Sequence, residues 1–204
     1  IKIMALPEGS VYSLKVPCLV IFNTDERFFW LTNYLETILS TSVWGMCTSA
    51  TTAHEYKKIL TSYALKTDGT TEFVNWQGHD FSFRGMYGAE AAAMSGAAHL
   101  LSFTGTDTIP AIDFLEDYYN ANSDLELVGG SVAATEHSVM CAGGMDNELE
   151  TFRRLIVDIY PAGIVSIVSD SWDFWQVMTD FTVKLKAQIL ARDGKVVFRP
   201  DTGC

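Results

Sequence analysis

Residues 165–201 read "VSIVSDSWDFWQVMTDFTVKLKAQILARDGKVVFRPD". An apolar, β-branched run through Val168 empties into Asp170 and Asp173. A helix-like stretch over 173–192 follows, and then a second apolar run, Val196 to Phe198, empties into Arg199 and Asp201. Strand, helix, strand predicts two parallel neighbours joined by a right-handed crossover. Working back towards the N-terminus, the same rhythm recurs from about residue 73 at intervals of about thirty residues. The further helices are "GAEAAAMSGAAHLLSF", "AIDFLEDYYN" and "NELETFRRLIVDIY", and the further strands end in "GHDFSFRG", "FTGTDT" and "SVAATEHS". Polar and ionisable groups at the carboxyl ends of successive strands are how a βα barrel or an open α/β sheet builds a site. Ala91–Ala98 offers a face of small residues for close helix packing.

The N-terminal third differs. Residues 1–24 read as β, with "VYSLKVPCLVIF" rich in Val, Ile and Phe between turn-like flanks. Leu31, Tyr34, Leu35, Ile38 and Leu39 form one apolar helical face. A second helix is expected from Thr52, where Thr52 and Glu55 have capping-box spacing and Tyr56, Ile59, Leu60 and Tyr63 continue as a stripe. The expected organisation is a β-rich piece over 1–24, a helical segment over 25–72 and a partial βα barrel over 73–204. The fold class is α/β.

Composition narrows the function. With 14 Lys and Arg against 25 Asp and Glu the net charge is −11. That argues against sequence-independent binding to nucleic acid or to an anionic membrane. No apolar run approaches the roughly 20 residues of a membrane span. Cys18, Cys47, Cys141 and Cys204 form no C-x-x-C pair, so reduced thiols in a cytosolic protein are expected. The sequence opens on Ile1 inside a strand-like run and stops just after "RPDTG", so it reads as cut at both ends.

Each candidate residue has a plain structural explanation. His79 and Asp80 could cap the helix that follows them, with Phe81 in the core. Asp107 in "GTDT" could be a turn acid, and Asp170 and Asp173 could simply complement a helix N-terminus. His137 could be structural, and Arg199 with Asp201 a surface ion pair. Taken together, the groups suit a phosphorylated sugar. Arg84 and Arg199 can grip phosphate bidentately. Asp173 and Asp201 can hold Mg²⁺ or accept from ribose hydroxyls, and Phe81 offers a flat face to an aromatic ring.

"HDF-x-x-RG", "GTDT", "SVxAxEHS", "VSDSWD" and "RPDTG", in this order, resemble the nicotinate/nicotinamide phosphoribosyltransferase family, the type II phosphoribosyltransferases. The likeness extends to "LPEG" at 6–9 and "WLTNYLETIL" at 30–39. Ser82 and Phe83 stand where the family usually has Gly and Tyr, and Thr202 where it has Ser. The resemblance implies an irregular α/β barrel that transfers phosphoribosyl from phosphoribosyl pyrophosphate to nicotinamide, in the cytoplasm, as a homodimer, with Mg²⁺ and with ATP as a coupling substrate. It implies that Phe81 stacks on the pyridine ring, that Asp107 reads the carboxamide and that Ser131 lies beside the amide. Arg84 and Arg199 would face phosphoribosyl pyrophosphate or the ring, and Asp173 and Asp201 ribose and metal. His137 would be the histidine phosphorylated by ATP. The family members are longer, so this chain alone is expected to be inactive. The sister activity on nicotinate, a ligand-binding piece without turnover, and more distantly a metal-dependent hydrolase using His79, His137 and Asp170 are the competing expectations.

Overall fold

In a computed structural model of the chain, residues 1–201 are described, and two units separate: Ile1–Gly130 and Ser131–Cys204. Thr202 and Gly203, the end of the "RPDTG" motif, and Cys204 lie outside the described residues. The expected mixed α/β class holds. Parallel strand pairs occur in both units, and no closed barrel forms among the described residues.

The first unit opens with an antiparallel pair, β1 (Lys2–Ala5) and β2 (Leu19–Phe22), with Lys2 opposite Phe22. The strand expected over 11–22 is thus confined to its last four residues. Lys15 takes a left-handed backbone conformation (φ 68°) and Pro17 has no N–H to give to a ladder, so the preceding stretch cannot extend the pair.

The two helices expected between residues 28 and 67 are one, α1 (Leu31–Thr67), 37 residues long. Capping-box spacing at Thr52 and Glu55 predicts a new helix start there, in a Ser/Thr-rich stretch whose residues favour caps. Here their hydroxyls bond back within the helix instead. Ser42 donates to the Ile38 carbonyl, Thr48 to Trp44 and Thr51 to Cys47. No proline interrupts the run, so the ladder continues. It ends where Gly69 adopts φ 77° and donates its N–H to Ala64 O.

Helix α2 (Ala89–Leu100) packs against both α1 and α3 (Pro110–Tyr119). Ala92, Ala93, Gly96, Ala97 and Ala98 are buried, which is the use expected for the small-residue face. Gly96 is required by this approach, because a Cβ there would stand 2.7 Å from the Ala111 Cβ. The helices support a short parallel pair, β3 (His79–Asp80) and β4 (Gly105–Thr106), to which Gly130 adds a parallel bridge.

The second unit is a three-stranded parallel sheet in the order β5 (Ala133–Ala134), β6 (Ala162–Val168), β7 (Asp193–Arg199). Helix α4 (His137–Gly143) begins inside the stretch read as strand. Helix α5 (Glu148–Arg154) widens into a π turn at Leu155–Ile159. The single helix expected over 173–192 is segmented. It comprises α6 (Phe174–Gln176), a π turn (Val177–Phe181), α7 (Thr182–Lys184) and α8 (Lys186–Ala191), with Leu185 off the helical conformation. Val177, Phe181 and Leu185, four apart, all reach the core, and the wider π turn helps to keep that spacing on one stripe. They pack with Met140, Phe152, Ile156 and the inner face of β6, while Phe198 stacks on Phe152 at 5.9 Å.

Candidate active site

In the first unit the parallel pair delivers its polar ends to one place. His79 and Asp80 lie in β3, and Asp107 directly follows β4. The Asp107 amide donates to the Asp80 carbonyl at 2.9 Å, which fixes the two strand ends side by side. His79 Nε2 lies 2.9 Å from Asp107 Oδ1, and the His79 ring lies 4.4 Å from that of Phe81, tilted by 32°. Phe81 is 53% exposed, so it is not a core residue. Asp80 does cap the local turn, since its Oδ1 accepts from the Ser82 N–H at 2.8 Å. Phe81, Phe83, Arg84, Met86, Asp107 and Thr108 line an open cleft of about 520 Å³. Three of the expected ligand-facing groups, Phe81, Arg84 and Asp107, therefore border one space. They give it an aromatic face, a guanidinium and a carboxylate.

Behind the cleft, His99 Nε2 meets the Gly105 carbonyl at 3.0 Å and its ring stacks on Phe103. Burial holds His99 below the usual histidine range, against the opposing pull of the Gly105 carbonyl and Asp80.

The second unit builds a separate cluster. His137 starts α4, with Glu136 as its extended cap residue. His137 Nε2 lies 3.1 Å from Asp170 Oδ1, and its Nδ1 lies 3.9 Å from Asp201 Oδ2. The other Asp170 oxygen accepts the Asp201 N–H at 2.7 Å. Burial pushes the Asp170 carboxyl up. The Asp201 N–H, its own N–H and His137 outweigh this and hold it below the usual range. Asp201 is 58% exposed on its side chain.

Arg199, on the last residue of β7, points its guanidinium inward. Nη1 donates to Ser166 Oγ at 3.1 Å and Nη2 to the Thr135 carbonyl at 2.5 Å. One face of the guanidinium is thus occupied by the protein's own acceptors. Asp173 caps α6, its Oδ1 accepting from the Gln176 N–H at 3.0 Å. Ser131 is exposed just ahead of β5.

Sequence reading missed three groups. Asp170 was expected as a helix-start acid or a hydrolase ligand, and its carboxylate instead joins His137 to Asp201. Ser166 and Thr135 hold Arg199. Glu148 is 2% exposed with Oε1 lacking a hydrogen-bond partner, and burial and the Asp173 charge raise it to about 7. A glutamate at a helix start gives no signal of burial in a sequence. Asp170 could have been found from strand register, since Val168 pairs with Arg199 and Asp170 therefore emerges beside Asp201.

Among the described residues, no three His, Cys, Asp or Glu side chains converge as a metal cage. Mg²⁺ commonly takes only one or two carboxylates and completes its shell with water and phosphate oxygens. The exposed Asp201 carboxylate suits that use. Asp173 offers less, with one oxygen given to its helix.

The chain resembles known proteins throughout. It is 58% identical to a nicotinamide phosphoribosyltransferase of Acinetobacter baylyi, over 100% of this chain and 41% of that protein. It is 37% identical to the nicotinamide phosphoribosyltransferase of Mycoplasma pneumoniae, over 100% of this chain and 42% of that protein. With the enzyme of that name from Mycoplasma genitalium it shares 40% identity over 89% of this chain and 37% of that protein. The chain spans about two fifths of the length of these curated relatives. A sequence profile of the nicotinate phosphoribosyltransferase (NAPRTase) family matches residues 76–204, which include both clusters. The chain belongs to the nicotinate phosphoribosyltransferase family.

Proposed function

We propose that this chain supplies the base-binding cleft and the reactive histidine of a nicotinamide phosphoribosyltransferase. The observation that carries the reading is the cleft in which Phe81, Arg84 and Asp107 face one space. The names of the relatives support the choice of nicotinamide.

In the proposed reaction the pyridine nitrogen attacks the anomeric carbon of phosphoribosyl pyrophosphate. A C–N bond forms, the C–O bond breaks, and pyrophosphate leaves with the electron pair. The protein's task is to position the ring and to stabilise departing charge. Phe81 stacks on the ring and Asp107 accepts from the amide NH₂. Arg84 takes phosphate oxygens, and Ser131 stands by the amide. Mg²⁺ would supply charge neutralisation on the pyrophosphate, with Asp201 and the second oxygen of Asp173 as its protein ligands. Arg199 acts from its place against Ser166 and Thr135.

ATP would phosphorylate His137. Asp170 accepts a hydrogen bond from Nε2–H, which leaves the Nδ1 lone pair to attack the γ-phosphorus as ADP departs, and Asp201 borders that side. The same reading carries a homodimer in the cytoplasm. Cys18, Cys47 and Cys141 are free thiols, in keeping with a reducing compartment, and among the described residues no helix is long and apolar enough to cross a membrane.

Nicotinate is the second reading, and the His79–Asp107 contact at 2.9 Å favours it. A His79 N–H donated to Asp107 would occupy the carboxylate oxygen that is expected to repel an acid. The deciding experiment compares both bases on wild type and Asp107→Asn in the full-length protein. Wild type is expected to prefer nicotinamide, by up to about 10⁴-fold where a buried hydrogen-bonding site rejects the analogue. The variant is expected to lose that preference. An unchanged base ratio in the variant would remove Asp107 from base selection.

A further inference from the structure

Asp80 holds the backbone of Asp107, and of Ser82 just beyond Phe81, the two side chains that the functional reading places on the pyridine ring being Phe81 and Asp107. Its carbonyl accepts the Asp107 N–H at 2.9 Å. Its Oδ1 accepts the Ser82 N–H at 2.8 Å, at the start of the tight turn Phe83–Gly85 that carries Arg84. Phe81 is strung between these two anchored positions. Asp80 itself is 8% exposed, and its Oδ2 has no hydrogen-bond partner. That oxygen and the Thr108 methyl carbon each lie 3.1 Å from the spot a Cβ of Gly96 would fill. The Thr108 hydroxyl, fully buried, and the Ser82 hydroxyl likewise lack partners. An acid whose only need was to cap a turn would keep its second oxygen in water. This one is walled in by the closest approach of α2 and α3, where no side chain larger than that of glycine fits at position 96.

We propose that Asp80 is a positioning residue of the base site, setting the separation between the Phe81 ring and the Asp107 carboxylate without touching the substrate. The proposal rests on the functional reading above. Its buried oxygen lies against the helix layer, beside the place a Gly96 Cβ would fill, so the clamp has little room to shift. A displacement of about 1 Å in a site of this kind lowers rate on the order of 100-fold, so a residue that fixes this spacing controls base affinity more than sugar affinity.

The test uses the full-length protein with Asp80→Ala, Asp80→Asn and Ser82→Pro. The proline removes the donor of the clamp at a position whose φ of −75° suits it. Kinetics are measured for nicotinamide and for phosphoribosyl pyrophosphate, and amide exchange is followed at Ser82. Asp80→Asn keeps an acceptor at Oδ1 for the Ser82 N–H, so it is expected to stay within about threefold of wild type. Asp80→Ala and Ser82→Pro are each expected to raise KM for nicotinamide about tenfold or more, with KM for phosphoribosyl pyrophosphate within about twofold. Ser82 in Asp80→Ala is expected to exchange at least about tenfold faster. Should Asp80→Ala not fold, Ser82→Pro alone decides.

An unchanged nicotinamide KM in the clamp-breaking variants overturns the proposal, as does a parallel rise in both KM values with no rescue by asparagine. A wild-type protein that uses neither base refutes the functional reading and the ring role with it. Wild-type turnover combined with indifferent variants refutes Asp80 alone.

Discussion

At the scale of single residues, His137 is set by its neighbours and Glu148 by burial. His137 has acidic neighbours on both ring nitrogens. If it is the group that takes phosphate from ATP, His137→Ala is expected to abolish ATP stimulation of synthesis in the full-length protein while leaving basal synthesis measurable. Stimulation that survives would place the phosphate elsewhere. Glu148 makes a prediction independent of function. Its folded value is raised from 4.5 to about 7 by burial and by Asp173. Between those two values the folded protein keeps a proton that the unfolded chain has released. Stability of the second unit therefore falls as pH rises through that window and stays at the lower level above it. The full effect is about 3 kcal/mol at most. Glu148→Gln is expected to flatten the difference in urea midpoint between pH 5 and pH 8. An unchanged slope would mean that the carboxyl finds a partner when charged. Phe81, Arg84 and Asp107 could be singled out in the sequence because they lie in motifs at strand ends, and the resemblance of those motifs supplied their expected roles. Glu148 could not, because a helix-start acid reads as a dipole partner whether it is buried or wet.

At the scale of elements, the five strand ends were legible and the helices between them only in part. The rhythm of apolar runs fixes where strands stop, but helix continuity depends on where hydroxyls bond. In α1, Thr48 and Thr51 turn their hydroxyls to carbonyls four residues back, so a stretch that suits two caps continues as one helix. The α6 to α8 region shows the opposite case, where tertiary burial of Val177, Phe181 and Leu185 outweighs local helical regularity. Near the start of strands β6 and β7, Gly163 stands opposite Gly194. A Cβ on Gly194 would collide with the Gly163 carbonyl, and Gly194 itself has φ 135°. Gly194→Ala is expected to part this end of the pair and to destabilise the second unit by about 1–3 kcal/mol, read as a lower urea midpoint. A midpoint within error of wild type would show that the strand start yields without loss.

At the scale of the whole molecule, the two units carry opposite responses to acid. His99, depressed by burial, lets the unfolded chain of the first unit take up a proton first as pH falls below its ordinary value of 6.5, so that unit loses stability on acidification. Glu148 acts in the other sense in the second unit. The chain also exposes Tyr34, Ile38, Trp44, Tyr56, Ile59 and Tyr63 along α1. Apolar side chains gathered on one helix in this way mark surface that another surface covers. The isolated 204-residue chain is expected to sediment above its monomer mass of 22.6 kDa and to make no nicotinamide mononucleotide. A monodisperse monomer in sedimentation velocity would count against the first expectation, and turnover near that of an intact relative against the second. The parallel register of β6 and β7 has a further consequence, for how such chains tolerate change in length. Val168 stands opposite Arg199, and Asp170 and Asp201 each lie two residues beyond that pair. Their meeting depends on two short counts along the backbone and not on the number of residues between the strands. Insertions or deletions in the helical crossover should therefore leave the acid pair intact, whereas the loss of Ser169 or of Pro200 alone would carry one acid out of step with the other.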